Sequence, residues 1–122
     1  MAIEQDWRDS GKYYLSPEQE SAIKMRSIAV YGQDAQTTVC MEECAELIQA
    51  ISKLKRYNPE DPNNKVGRKE LIENLYEEMA DVLISLDLLS EIYGLKLGDI
   101  RSMINHKVWR MKRRMEAQGV RF

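Results

Sequence analysis

The chain has 122 residues, of which 43% are hydrophobic and 31% charged, with a formal net charge of -2 and a pI near 5.5. That length suits one ordinary domain with a core of its own, and the near-neutral balance excludes a general pull toward nucleic acid or anionic membrane. No run approaches the roughly 18 apolar residues of a membrane span, and "MAIEQDWRDSGKYY" lacks the apolar region of a secretory signal, so a cytoplasmic protein without a membrane partner is expected.

Residues 1–15 are polar and aromatic without period and read as an arm, mobile or packed, on an otherwise single domain of 1–122. "SPEQ" opens a first helix: Ser16 caps, Pro17 suits the first helical position and Gln19 completes a capping box, with Gly32 as the stop. Asp34 is the expected cap of a second helix that frays near Tyr57, where "NPEDPNNKVG" (Asn58 to Gly67) has two prolines and a glycine and must be a loop. A third helix spans roughly Arg68 to Tyr93 and is closed by Gly94. A fourth starts between Lys96 and Asp99 and runs to about Gln118, before Gly119. No stretch alternates like a strand, and there is no internal repeat. An all-α, four-helix protein follows.

The second helix carries the first chemical signal. Cys40, Cys44, Leu47, Ile48, Ile51 and Leu54 form its apolar stripe, with Glu43 at the border, Glu46 one step out and Glu42 furthest into solvent. Glu43 and Glu46 are three residues apart and project from nearly the same side. The cysteines stand one turn apart, where a disulfide would strain the helix; with one histidine, His106, they also fall short of a zinc set. In the third helix Leu71, Leu75, Met79, Val82, Leu83, Leu86 and Leu89 make one apolar face, while Asn74, Glu78, Asp81 and Ser85 form a polar seam beside it. Either acidic pair alone is commonplace on a solvated helix face. Two pairs on consecutive helices that pack antiparallel would converge, and four carboxylates together repel unless a divalent cation lies between them. Hard oxygen ligands suit magnesium, manganese or calcium, and the chemistry implied is phosphoryl or nucleotidyl transfer.

At these residues, "EECAEL" and "EEMADVL", the sequence resembles the MazG-like all-α nucleoside triphosphate pyrophosphohydrolases, and "YGQDAQ" followed by "MEECAELIQAISKLKR" is similar to their small single-domain forms in bacteria and phages. The resemblance covers Tyr31 to about Arg113. It implies a four-helix MazG-like bundle, assembled as a homodimer or homotetramer, that hydrolyses a nucleoside triphosphate to monophosphate and pyrophosphate with magnesium, manganese being the substitute. Carried over, the catalytic and metal-binding residues are Glu43, Glu46, Glu78 and Asp81. The loop from Asn58 to Gly67 is longer than in the most compact members.

The fourth helix combines an apolar stripe, Ile100, Ile104, Val108, Met111 and Met115, with a basic surround. A solvated face complementing the helix carboxyl terminus explains much of that charge. The resemblance singles out Asn105, Lys107 and Arg110 for the triphosphate. Lys53, on the side of Glu46, and Gln36, at the angular position of Glu43, are further substrate candidates. The alternative is a non-catalytic helical module binding RNA or protein through "RMKRR", which leaves the acidic seam unexplained. A di-iron bundle asks for Glu-x-x-His pairs that are not here. On the third helix Ile84 and Leu88 lie away from Leu75 and Leu86, and the apolar strip they would expose calls for at least a dimer.

Overall fold

The computed structural model describes residues 14–122, and among them every regular element is a helix: α1 (Pro17–Tyr31), α2 (Gln33–Arg56), α3 (Arg68–Ile92) and α4 (Leu97–Ala117). The expected arm, and Trp7 within it, lies almost wholly outside the described residues. At the start of α1 the capping box closes in both directions. The Gln19 amide nitrogen donates to Ser16 Oγ at 3.1 Å, and the Ser16 amide nitrogen donates to Gln19 Oε1 at 2.8 Å. A single residue, Gly32, both ends α1 and begins α2. Its φ of +93° is open to glycine and strained for any residue with a Cβ, so the chain reverses there in one step. Asp34 is therefore not the cap expected of it: α2 has no side-chain cap, and Asp34 sits inside the first turn, where its charge still favours the helix dipole.

The loop after α2 is stitched by its own asparagines and aspartates. Asn58 Oδ1 accepts from the Glu60 amide at 3.0 Å, Asp61 Oδ1 accepts from Asn63 at 2.9 Å, and Asn64 Nδ2 donates to the Asn58 carbonyl at 2.6 Å. These side-chain turns occupy backbone groups that would otherwise extend a helix. α3 returns antiparallel to α2: Lys53 and Arg56 come near Leu71 at one end, while Gln36 comes near Ser85 and Leu88 at the other.

The α2–α3 contact is the main packing interface; α1 leans on both helices, and α4 makes no comparable contact with any of them. Along α2 the buried or half-buried residues include the series Gln36, Cys40, Glu43, Leu47, Ala50 and Leu54, at alternating steps of four and three; along α3 they include Leu71, Leu75, Glu78, Val82, Ser85 and Leu89. That alternation is the seam of two helices packed at a shallow angle. It corrects the single-helix reading in three ways. Glu43 lies in the seam rather than at its border. Cys44, Ile48, Ile51, Met79, Leu83 and Leu86 are exposed rather than core. Leu88 is only 5% exposed, so the strip expected to run through Ile84 and Leu88 does not exist in that form. The apolar residues left on the outside of this pair include Ile48, Ile51, Met79, Leu83, Ile84 and Leu86.

Lys24 of α1 reaches Asp87 of α3 at 2.7 Å and ties the first helix across the pair. Being half-exposed, that pair contributes modestly, and the apolar seam carries most of the stability. Replacing Leu88 by Ala should cost about 2–3 kcal/mol of unfolding free energy, near the low end for a buried leucine. The same truncation at exposed Val30 should cost no more than about 0.5 kcal/mol. Urea denaturation of both variants checks the ordering.

Candidate functional site

The seam that holds α2 to α3 is interrupted midway by carboxylates. Glu43 comes from α2, one turn after Cys40. Glu46 follows three residues later and stays exposed, and Glu78 arrives from α3 opposite them. One oxygen from each of Glu43, Glu46 and Glu78 lies within 4.8 Å of the other two. Asp81, one turn past Glu78 and half-buried, stands outside this trio, yet its charge acts on both seam glutamates. All four expected carboxylates thus reach one region from two helices.

Two atoms there are anomalous. Glu43 Oε2 and Glu78 Oε2 are shut off from solvent and have no hydrogen-bond partner. A buried carboxylate oxygen without a donor loses its hydration and gains nothing in return. The proton affinities respond accordingly. Burial pushes the Glu43 carboxyl above its ordinary value, and the charge of Asp81 and the contact with Glu46 push it the same way. Burial likewise raises Glu78, followed by Glu46 and then Asp81. Among the described residues no Lys or Arg forms an ion pair with either group. The donor set is hard oxygen throughout, its inner oxygens unpartnered, and its charge uncompensated; a divalent cation fits that description.

A cavity of about 500 Å³ opens beside the cluster, between α1, α2 and α3, with Glu43 and Asp81 in its wall. Gln36, a substrate candidate from its angular position, lines it and is only 8% exposed. Ser85, seen in the sequence as part of a polar seam and no more, lines it too and is 3% exposed. α1 adds Ile23, Lys24 and Ser27, which sequence reasoning missed because "PEQESAIKMRSIAVY" shows no apolar stripe to mark a buried side.

The remaining candidates are elsewhere. Lys53 is exposed and borders a separate depression with Arg56, Tyr57 and Lys65 at the far end of α2. Asn105, Lys107 and Arg110 are exposed on α4, and the fold does not bring them to the carboxylates of their own chain. On that helix His106 stacks on Trp109 with centroids 6.0 Å apart, and the Arg113 guanidinium lies 5.8 Å from the Trp109 ring. Trp109 is thus a surface aromatic rather than core.

The raised carboxyls have a measurable consequence in metal-free protein. A carboxyl whose folded pKa exceeds its unfolded value binds more protons folded than unfolded, so stability rises as pH falls through the folded value and the cost returns above it. With chelator present, the melting temperature should increase as pH drops from 7 toward the ordinary glutamate value of 4.5. Glu43→Gln should reduce that slope, and calorimetry across the range reads both. A slope unchanged by the substitution would assign the effect to other groups.

Residues 32–116, well over half of the chain, match the family described as MazG nucleotide pyrophosphohydrolase domain. The match takes in α2, α3 and α4 and leaves out α1. Over 78 residues the chain is 28% identical to an uncharacterized protein, YvdC, of Bacillus subtilis (strain 168), a stretch covering 64% of this chain and 74% of that protein. No solved structure matches.

Proposed function

The chain belongs to the MazG nucleotide pyrophosphohydrolase family, and from that premise we propose that it is a magnesium-dependent hydrolase cleaving a nucleoside triphosphate to the monophosphate and pyrophosphate. The observation that carries the reading is the pair of buried, unpartnered oxygens, Glu43 Oε2 and Glu78 Oε2, in a carboxylate cluster at the wall of a nucleotide-sized cavity. Glu43, Glu46, Glu78 and Asp81 would hold the cation, with manganese as a substitute. A divalent ion in such a set neutralises phosphate charge and acidifies bound water. The chain's own part is positional. The seam packing on either side fixes Glu43 and Glu78, while Glu46, open to solvent, has access to the attacking water. Water adds to phosphorus, the α–β anhydride bond breaks, pyrophosphate leaves with the bond pair, and a carboxylate of the cluster takes the water's proton.

The basic residues enter from a second copy. Seven acidic residues against two basic ones make α3 strongly negative, whereas residues 93–122 carry eight Lys and Arg against two acidic groups. α4 keeps Ile104, Val108 and Met111 exposed, and α2 and α3 keep Ile48, Met79 and Leu83 exposed. Two copies related by a twofold axis would cover these surfaces with matched charge, placing the partner's α4, with its copies of Asn105, Lys107 and Arg110, within reach of the phosphates. RNA would satisfy the cations of α4 but leave its apolar stripe in water. A homodimer, or a homotetramer built from it, is therefore the proposed assembly of this one-domain chain, in the cytoplasm, where its two free cysteines remain reduced.

Asp81→Asn preserves size and removes a hard anionic ligand, so pyrophosphate release at limiting magnesium should fall by at least about a hundredfold with folding retained. Glu42→Gln, on an exposed residue outside the cluster, should leave turnover within about twofold. Full activity of the Asp81 variant would sink the assignment.

For the assembly, sedimentation at micromolar concentration should show a dimer or larger, and Leu83→Glu should split it and lower turnover together. A clean monomer near 14.2 kDa with full activity would place the whole site in one chain.

A further inference from the structure

The 500 Å³ cavity is longer than a metal site requires, and its far part is built differently from its carboxylate end. There the walls are aliphatic, with Ile23 from α1 and Ile84 and Leu88 from α3. Into this apolar slot come two polar side chains, Gln36 and Ser85, each more than nine-tenths buried. Of the other polar groups of that wall, Ser27 Oγ donates to the Lys24 carbonyl at 2.6 Å and Lys24 Nζ is held by Asp87, while Glu20 is exposed. An apolar slot with a few convergent polar groups is the general form of a small-molecule site.

Position narrows the ligand. Gln36 precedes Glu43 by seven residues, about 10 Å along the helix axis, and Ser85 follows Asp81 by one turn, about 6 Å. From the carboxylates outward a ligand meets Ser85 first and Gln36 last. A nucleotide has that order of parts, with phosphates at the cation, then sugar, then a flat base with a polar edge. On the pyrophosphohydrolase reading above, we propose that this cavity receives the nucleoside half of the substrate and that Gln36 reads the edge of the base, with the Ser85 hydroxyl facing the sugar side. A glutamine amide offers a donor beside an acceptor, and so pairs with a base that presents the two in the opposite order. Gln36 is thereby a specificity-determining residue, acting on which triphosphate is chosen rather than on the metal. Part of the slot comes from α1, outside the stretch that matches the family, while Gln36 lies within that stretch.

Two measurements test this. Saturation-transfer NMR with adenosine, guanosine, cytidine and uridine, in chelator, should show transfer to base protons of at least one nucleoside in the unmodified protein. Gln36→Leu should weaken that binding by roughly tenfold or more, and Ile84→Trp, which fills the slot, should abolish it. In steady-state assays of the four triphosphates, Gln36→Leu should flatten the ratio of kcat/KM between best and worst substrate by about tenfold, with Mn2+ affinity by calorimetry unchanged. Gln36→Glu, which only accepts, should shift preference toward guanine, whose edge presents two donors, and away from uracil. A loss of stability alone would lower all four substrates equally and leave their ratios fixed. Pyrophosphate release with ratios identical in the unmodified protein and both Gln36 variants would overturn the inference and leave the hydrolase reading intact. Nucleoside binding lost in Gln36→Leu, with no pyrophosphate released from any triphosphate, would do the reverse.

Discussion

Everything in this fold has to accommodate carboxylates inside the seam that holds its two central helices together. A helix pair sheds apolar surface from water along alternating steps of four and three, and each seam position given to Glu43 or Glu78 forfeits that gain. It also places charge where desolvation and mutual repulsion both oppose ionisation. The flanking seam residues offset this. Cys40 and Ala50 are small and buried, allowing close approach on α2, while Leu71 and Leu88 fill the space from α3 on either side of the acidic middle. The cluster is thus clamped by packing above and below. Rigid placement of this kind keeps like charges together when side-chain flexibility would let them separate.

The same constraint explains why α1 is needed. Two helices alone would leave the polar end of the seam, Gln36 and Ser85, open to water, where neither residue could discriminate between ligands. Leaning α1 across both helices converts that open groove into a cavity. The Lys24–Asp87 bridge is well placed for this: it fixes α1 to α3 at the edge of the cavity and spends the one cation of that wall on a structural partner. On the proposed reading the aliphatic part of the slot would take the uncharged nucleobase, while negative charge, Glu20 apart, is concentrated at the carboxylate cluster, where a phosphate-bound cation would sit.

How much of this is readable from residues alone depends on whether the information is local. Helix ends are local. Ser16, Pro17 and Gln19 act on one another within a single turn, and the Asn58 to Gly67 loop is held by its own side chains, so both follow from short-range chemistry. Gly32 shows the limit, because one glycine serving both helices left Asp34 with nothing to cap. The four carboxylates were legible as pairs, since their spacing places each pair on one side of a helix. Their depth was not. A helical wheel for α2 cannot tell whether the partner meets the arc of Cys44 and Ile48 or that of Gln36, Cys40 and Glu43, and greasiness favours the wrong arc. On α3 both sides are apolar enough to be core, so choosing between Leu83 and Leu88 required the partner helix. Hydrophobicity identifies surfaces that prefer burial without saying which are buried within the chain and which by another copy.

That last ambiguity bears on α4. The helix is the most basic part of the chain, has a regular apolar stripe, and packs on little of its own protomer. Had its cations been brought against the carboxylates inside one chain, they would have paired with them, satisfying the orphaned oxygens and competing with a cation for the site. Keeping α4 apart leaves Glu43 Oε2 and Glu78 Oε2 free to receive a metal. Charge of opposite sign is then available at a distance, where it can attract the distal phosphates of a substrate without neutralising the ligands beneath them. On the proposed function, separating the anionic and cationic halves of the site onto elements that do not pack on each other would solve that conflict. On the proposed assembly, the geometry of the oligomer, rather than the fold of one chain, would decide where the phosphates end.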